Sequence, residues 1–271
     1  MSSVDATRVA ASTRGATARG LLVADWRRMR GTWLFPLTVL GPVGVTLLGV
    51  ILFLLRGEYM LKPFLSGEKS GFMVVTEQLG MIHVFAIGLG AALLASMIVD
   101  LEHRSETWKA MFSLPVSRAG TYVVKFVWCA VLLAASSALM TLGYSSLVVW
   151  QRLGAVPWAD LATLGALVWI ASLPLLALQL FISTALHNQA LPLTVGILAP
   201  IFGMSMSDLA PWTPWTLMTQ ALAYATGGLA AGAQTESLTG FGPAQVCTVA
   251  VGTTIVLVLC GTLALARREI R

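Results

Sequence analysis

Six uncharged apolar stretches, each long enough to cross about 30 Å of hydrocarbon, constrain this chain more than any other feature. They run from Trp33 to Leu55, Leu79 to Val99, Phe126 to Trp150, Leu161 to Leu186, Ala190 to Ser207 and Ala244 to Ala266. A helix that is apolar all round has no face to offer water, and only 11% of the residues are charged, where a soluble domain carries roughly a quarter. The expected fold is therefore all-α and integral to a membrane, with about six transmembrane helices. Residues 19–271 form a single transmembrane domain behind a flexible cytoplasmic tail of residues 1–18. Little length is left for a large soluble domain.

Local signals sharpen the division. The stretch from Leu161 to Ser207 carries no charge and is about twice one span, so it needs a turn, which His187, Asn188 and Gln189 followed by Pro192 supply. Pro36, Gly41, Pro42, Pro174 and Pro200 fall inside spans, where neighbouring helices can re-satisfy the backbone groups they free. The first twenty residues hold Arg8, Arg14 and Arg19 but no signal-type apolar core, so the tail is expected to be retained. Cys129, Cys247 and Cys260 lie in apolar runs and read as packing residues rather than disulfide or zinc partners.

Charge sets the orientation. With the N-terminus inside, the inner segments hold Arg8, Arg14, Arg19, Arg27, Arg28, Arg30, Arg104, Lys109, Arg118, Lys125, Arg267, Arg268 and Arg271, which is 13 of the 17 Lys and Arg. Arg56, Lys62, Lys69 and Arg152 remain outside. This bias places both termini in the cytoplasm and requires an even number of crossings. Leu209 to Thr235 is also uncharged, but it contains Pro211, Pro214, Gly227 and Gly228, and a seventh span would break the parity. Pro211-Trp212-Thr213-Pro214-Trp215 is thus expected to be a re-entrant or interfacial element before the last span, its two Trp at headgroup level.

Two amphipathic segments stand out. Leu22, Trp26, Met29 and Trp33 recur at i, i+4, i+7 and i+11 while Arg27, Arg28 and Arg30 lie largely off that stripe. The pattern predicts an N-terminal interfacial helix on the inner leaflet, a cytoplasmic extension of the first span being the alternative. Between the second and third spans, Leu101, Ser105, Trp108 and Phe112 share one helical face, and Glu102, Glu106 and Lys109 another. Arg104 adds a charge, and Pro115 stops the helix. A solvated loop that only sets orientation would expose Trp108 and Phe112 for no gain.

Catalytic patterns are missing. Gly67-Glu68-Lys69-Ser70 lacks the glycine and the strand-to-helix context of a phosphate loop. There is no His-Glu-x-x-His or Gly-x-Ser-x-Gly motif, and His83, His103 and His187 have no companions at ligand spacing, so no metal site is expected. Span interiors hold only His83, near an outer end, and Gln179 as polar groups of note, which argues against a proton-coupled carrier. Met204 and Met206 read as packing residues. No nucleic-acid partner is expected; the first partner is membrane lipid.

Glu102-His103-Arg104, Thr107-Trp108-Lys109, Leu114-Pro115-Val116-Ser117-Arg118, Tyr122 and Lys125-Phe126 together resemble the second-to-third-span loop of ABC-2 type transporter permeases. The likeness is strongest to the branch of lantibiotic self-immunity, bacitracin-type and multidrug efflux permeases. Asp25-Trp26-Arg27-Arg28-Met29-Arg30-Gly31-Thr32-Trp33 is similar to that group's interfacial helix. The resemblance implies six spans, a cytoplasmic coupling helix carrying Leu101, Glu102, Arg104, Ser105, Glu106, Trp108, Lys109 and Phe112, and a re-entrant element before the last span. It implies a permease subunit of an exporter in the inner (plasma) membrane, moving a peptide antibiotic, drug or other amphiphile. The chain itself would be no enzyme and hold no cofactor: a separate cytoplasmic ABC ATPase would bind ATP and magnesium, and a second permease subunit, a copy or a paralogue, would complete the pathway. Arg56 to Gln78 carries no readable substrate signature. An ATP-independent transporter or channel, or a non-transport membrane partner protein, are the rival readings.

Overall fold

A computed structural model describes residues 18–104, 118–186, 190–205, 212–225 and 242–267. Among them, eight helices follow in order: α1 (Ala18–Met29), α2 (Leu34–Leu65), α3 (Gly71–Arg104), α4 (Arg118–Trp150), α5 (Trp158–Ala185), α6 (Ala190–Ser205), α7 (Leu217–Ala223) and α8 (Pro243–Arg267). Five of them, α2, α3, α4, α5 and α8, are long and apolar enough to cross a membrane. The remaining uncharged stretch, the fifth along the chain, forms α6, whose 16 residues extend about 24 Å at the helical rise.

The helix ends follow turns rather than hydropathy. α2 continues past the apolar run ending at Leu55 and bends at Arg56, whose backbone leaves helical geometry (φ −131°, ψ 17°). Its last turns bury Met60 and pack Leu61 and Phe64 on the bundle, while Tyr59 and Leu65 stay exposed. α3 likewise starts at Gly71, well before Leu79. In the intervening turn the Lys69 ammonium donates to both oxygens of Glu77 at 2.8 Å, which holds its pKa above the ordinary lysine value.

α3 and α5 are the inner helices. α5 contacts α3, α4, α6, α7 and α8, and buries Leu164, Val168, Ala171, Leu175, Leu176 and Leu180. By contrast α2 and α8 turn Leu47, Ile51, Leu54, Ile255, Leu259 and Leu263 outward. A soluble surface would not tolerate these continuous faces, whereas hydrocarbon matches them.

Cross-helix contacts fix the directions. The Thr38 carbonyl of α2 meets Ser136 of α4, and Gly49 of α2 lies against Leu147 of α4, so these two helices run parallel. Tyr144 of α4 donates to the Leu79 carbonyl of α3 while Leu133 lies against Gly90, and Ser137 donates to the Gly165 carbonyl of α5 while Trp169 donates to the Ala130 carbonyl, so α3 and α5 return. α8 ends beside the start of α4: a side chain at Gly261 would run into the Tyr122 phenol, a close approach that only glycine permits. α1, the start of α4 and the end of α8 therefore share one end of the bundle, the basal end. The α2–α3 and α4–α5 turns lie at the other, distal end.

α7 packs against α3, α5, α6 and α8, with Leu222 on Gly80 in the distal half. Leu217, Met218 and Ala221 are fully buried. Of the two Trp expected at headgroup level, Trp212 is exposed and Trp215 turns inward to pack on the core.

Candidate functional site

Of the coupling and interfacial residues that the sequence singles out, those described lie at the basal end. α3 runs without a break through Leu101, which packs partly buried on the core, to Arg104. Glu102 and Arg104 thus lie on the last turn of α3, as a helical continuation of the second span. Ser105, Glu106, Trp108, Lys109 and Phe112 fall outside the described residues. α4 resumes at Arg118.

α1 is docked on the first turns of α4, and its predicted apolar stripe divides. Met29 is buried at 1% exposure and Leu22 is partly covered, whereas Trp26 is 40% and Trp33 70% exposed. The Trp26 ring stacks on Trp128 of α4 at 5.2 Å and meets Phe35 of α2 edge-on at 5.0 Å. The Trp128 indole donates to the Leu22 carbonyl at 3.3 Å. Beside this aromatic cluster the Lys125 ammonium lies 3.9 Å from Asp25, both side chains nearly excluded from solvent. Such a pair contributes little as a mere sum of charges, but removing one partner strands the other in a poorly solvated place.

In the sequence Lys125 counts among the inner charges and Asp25 falls in the stretch similar to an interfacial helix, with nothing there to join the two. The available signal was that Asp25 is the sole acid of α1, on a helix that also carries Arg27 and Arg28. Its partner lies on another helix a hundred residues on, and periodicity within one element cannot find it.

Polar groups deeper in the bundle are few and lie between helices. His83 is fully buried, its ring edge-on to Tyr144 at 5.5 Å, with no hydrogen-bond partner for either ring nitrogen among the described residues. The Gln179 amide of α5, oriented to satisfy its surroundings, donates to the Pro192 carbonyl and accepts from the Gly196 N–H of α6, each at 2.9 Å. That tie holds the short α6 to α5. An apolar cavity of about 130 Å³ opens between α2, α3 and α4, walled by Gly41, Pro42, Ile87, Gly90 and Met140. Its one hydroxyl, Ser136, is engaged with the Thr38 carbonyl.

A family model described as ABC-2 family transporter protein matches residues 21–203, from α1 to near the end of α6. No curated protein and no solved structure matches the chain.

Proposed function

We propose that this chain, which belongs to the ABC-2 transporter family, is the membrane permease subunit of an ATP-driven exporter. The observation that carries the reading is the extent of the family match: it takes in α1, the segment between α3 and α4, and the bundle around α5. The apolar outer faces of α2 and α8 support a multi-pass membrane protein. ATP and magnesium belong on a separate cytoplasmic ATPase, and a second permease subunit, identical or related, completes the pathway.

The finer reading follows the sequence. α6 is the fifth of six crossings, α7 with the preceding turn is the re-entrant element, and α1 lies at the inner face of the plasma membrane with both termini in the cytoplasm. The cargo is an amphiphile of the peptide-antibiotic or drug type, as in the lantibiotic-immunity and multidrug efflux branch, on the strength of the 102–126 motif alone. The segment from Leu101 to Ser113 is the coupling helix, with Trp108 and Phe112 as apolar anchors in an ATPase groove and Glu102, Arg104, Glu106 and Lys109 setting charge register.

Aromatic anchors at an interface centre lose roughly 2 kcal/mol or more on truncation, whereas rim charges act mainly on pairing and rate. Trp108→Ala is therefore expected to abolish ATP-dependent export and weaken co-purification of the ATPase without affecting membrane insertion. Glu106→Lys should give a milder, salt-sensitive defect. A Trp108→Ala permease that keeps its ATPase and exports at the wild-type rate would show that the segment is only a topological anchor.

A further inference from the structure

The cavity between α2, α3 and α4 has a floor and a mouth. Its α4 wall, Leu133, Ser136 and Met140, is buried, whereas Gly41 of α2 and Leu89 of α3 are exposed, so the mouth lies between α2 and α3. Glycine keeps it open: a Cβ added at Gly41 would meet nothing within 4 Å, and one at Gly90 would only touch Leu133 at 3.6 Å. Since the Ser136 hydroxyl is taken by the Thr38 carbonyl, the walls offer water no further hydroxyl. A dry apolar cavity of about 150 Å³ admits a benzene-sized guest, and this one measures about 130 Å³. Its walls lack contact atoms on one side, and an alkyl guest supplies them.

Depth and charge identify the guest. α2 starts at Leu34, and Gly41 stands two turns further on, about 10 Å along the axis at the helical rise. Half of the hydrocarbon core is about 15 Å thick, so the mouth lies at the level of the acyl chains of the basal leaflet rather than of their head groups. The head-group level is marked by Trp33, 70% exposed just before α2. There Arg27, in the last turn of α1, and Arg30 are exposed, and cations at that level attract anionic lipid. We propose that the cavity binds one acyl chain of an anionic phospholipid of the basal leaflet, which enters between α2 and α3 past Gly41 while its head group lies near Arg27 and Arg30. The proposal rests on α2, α3 and α4 crossing the bilayer and is independent of ATP coupling. The bound chain fills the gap between the three helices and so braces α2, which turns much of its apolar surface outward, against α3 and α4.

The test places the full chain in nanodiscs of phosphatidylethanolamine doped with phosphatidylglycerol that carries a photoactivatable diazirine at mid-chain. After irradiation, adducts mapped by mass spectrometry should fall on residues 37–42 and 86–93 at least fivefold more often than on the outward face of α8 at Ile255 and Leu259. Gly41→Leu, whose side chain enters the open space, should reduce those adducts at least fivefold. Gly44→Leu is the matched control: position 44 is equally open and exposed but does not line the cavity, so labelling should stay at the wild-type level. A phosphatidylcholine probe with the same chain should label at least threefold less, and Arg27→Gln with Arg30→Gln should erase that difference. Even labelling of α2, α3 and α8 would overturn the site, and equal labelling by the two probes in the wild type would overturn the choice of head group. Should Gly41→Leu fail to accumulate, the wild-type map and the double Gln variant carry the test. A disulfide between subunits formed by Gly41→Cys, with the native cysteines replaced by alanine, would give the mouth to a second copy of the chain and likewise overturn the lipid. Adducts at the cavity of a chain that shows no ATP-dependent transport would uphold the site while the exporter reading fails.

Discussion

At the scale of single residues, a neighbouring helix answers a backbone group that a proline in α2 frees. Pro42 has no N–H, so the Thr38 carbonyl one turn earlier loses its helical donor. The Ser136 hydroxyl of α4 takes that place at 2.9 Å. The sequence showed that prolines in spans need such help, but not which group gives it, because donor and acceptor stand 98 positions apart on different helices. Hydrogen bonds between membrane helices are worth roughly 0.6–2 kcal/mol. Ser136→Ala should therefore destabilise the protein by about 1 kcal/mol in a detergent unfolding titration. In a Pro42→Ala background, residue 42 regains an N–H able to serve the same carbonyl, and the effect of Ser136→Ala should shrink. Strictly additive effects of the two substitutions would mean that the hydroxyl is not answering the proline.

At the scale of elements, hydropathy located the helices and missed their ends. The uncharged run closing at Leu55 ends where the charges begin, but α2 only kinks at Arg56 and resumes to Leu65, closing at Ser66 and the positive-φ Gly67. The spacing of Leu22, Trp26 and Met29 identified α1 as a helix with an apolar stripe. It also predicts that lipid covers that stripe, although lipid and protein interior are both apolar and select the same residues. Burial separates the positions: Met29 is enclosed by the bundle and Trp33 is exposed. Met29→Glu should accordingly place an unsatisfied carboxylate in the core and lower the monodisperse yield severalfold on size-exclusion chromatography. Trp33→Glu, facing outward, should leave that yield close to wild type. Equal yields from the two variants would mean that α1 is held by lipid rather than by α4.

At the scale of the whole molecule, the governing constraint is parity. Counted along the chain, α5 ends at the basal end and α8 ends there too, beside Tyr122, so α8 must start distally and the chain between them must return. Among the described residues α6 makes that return along α3, tied to α5 by Gln179. Its modest length explains why it stands apart from the five long helices even though the apolar pattern marked it. The charge bias predicts an even count from the sequence, because basic residues report sides without reporting packing, whereas five helices among the described residues are long and apolar enough to cross. What charge could not supply was the pairing of helices, which depends on contacts such as Gly261 with Tyr122. The proposed orientation assigns the distal turns to the outside, and cysteines introduced singly on a cysteine-free background test it. Ser66→Cys in the α2–α3 turn and Gln151→Cys in the α4–α5 turn should react with an impermeant thiol reagent in intact cells. Thr32→Cys in the α1–α2 turn and Arg267→Cys at the end of α8 should react only after lysis. Labelling of position 267 from outside, with position 32 protected, would make the number of crossings odd and remove α6 from the membrane. Protection of both distal positions, with both basal ones labelled, would keep the bundle and invert it, placing the 105–117 segment where no cytoplasmic ATPase can reach it.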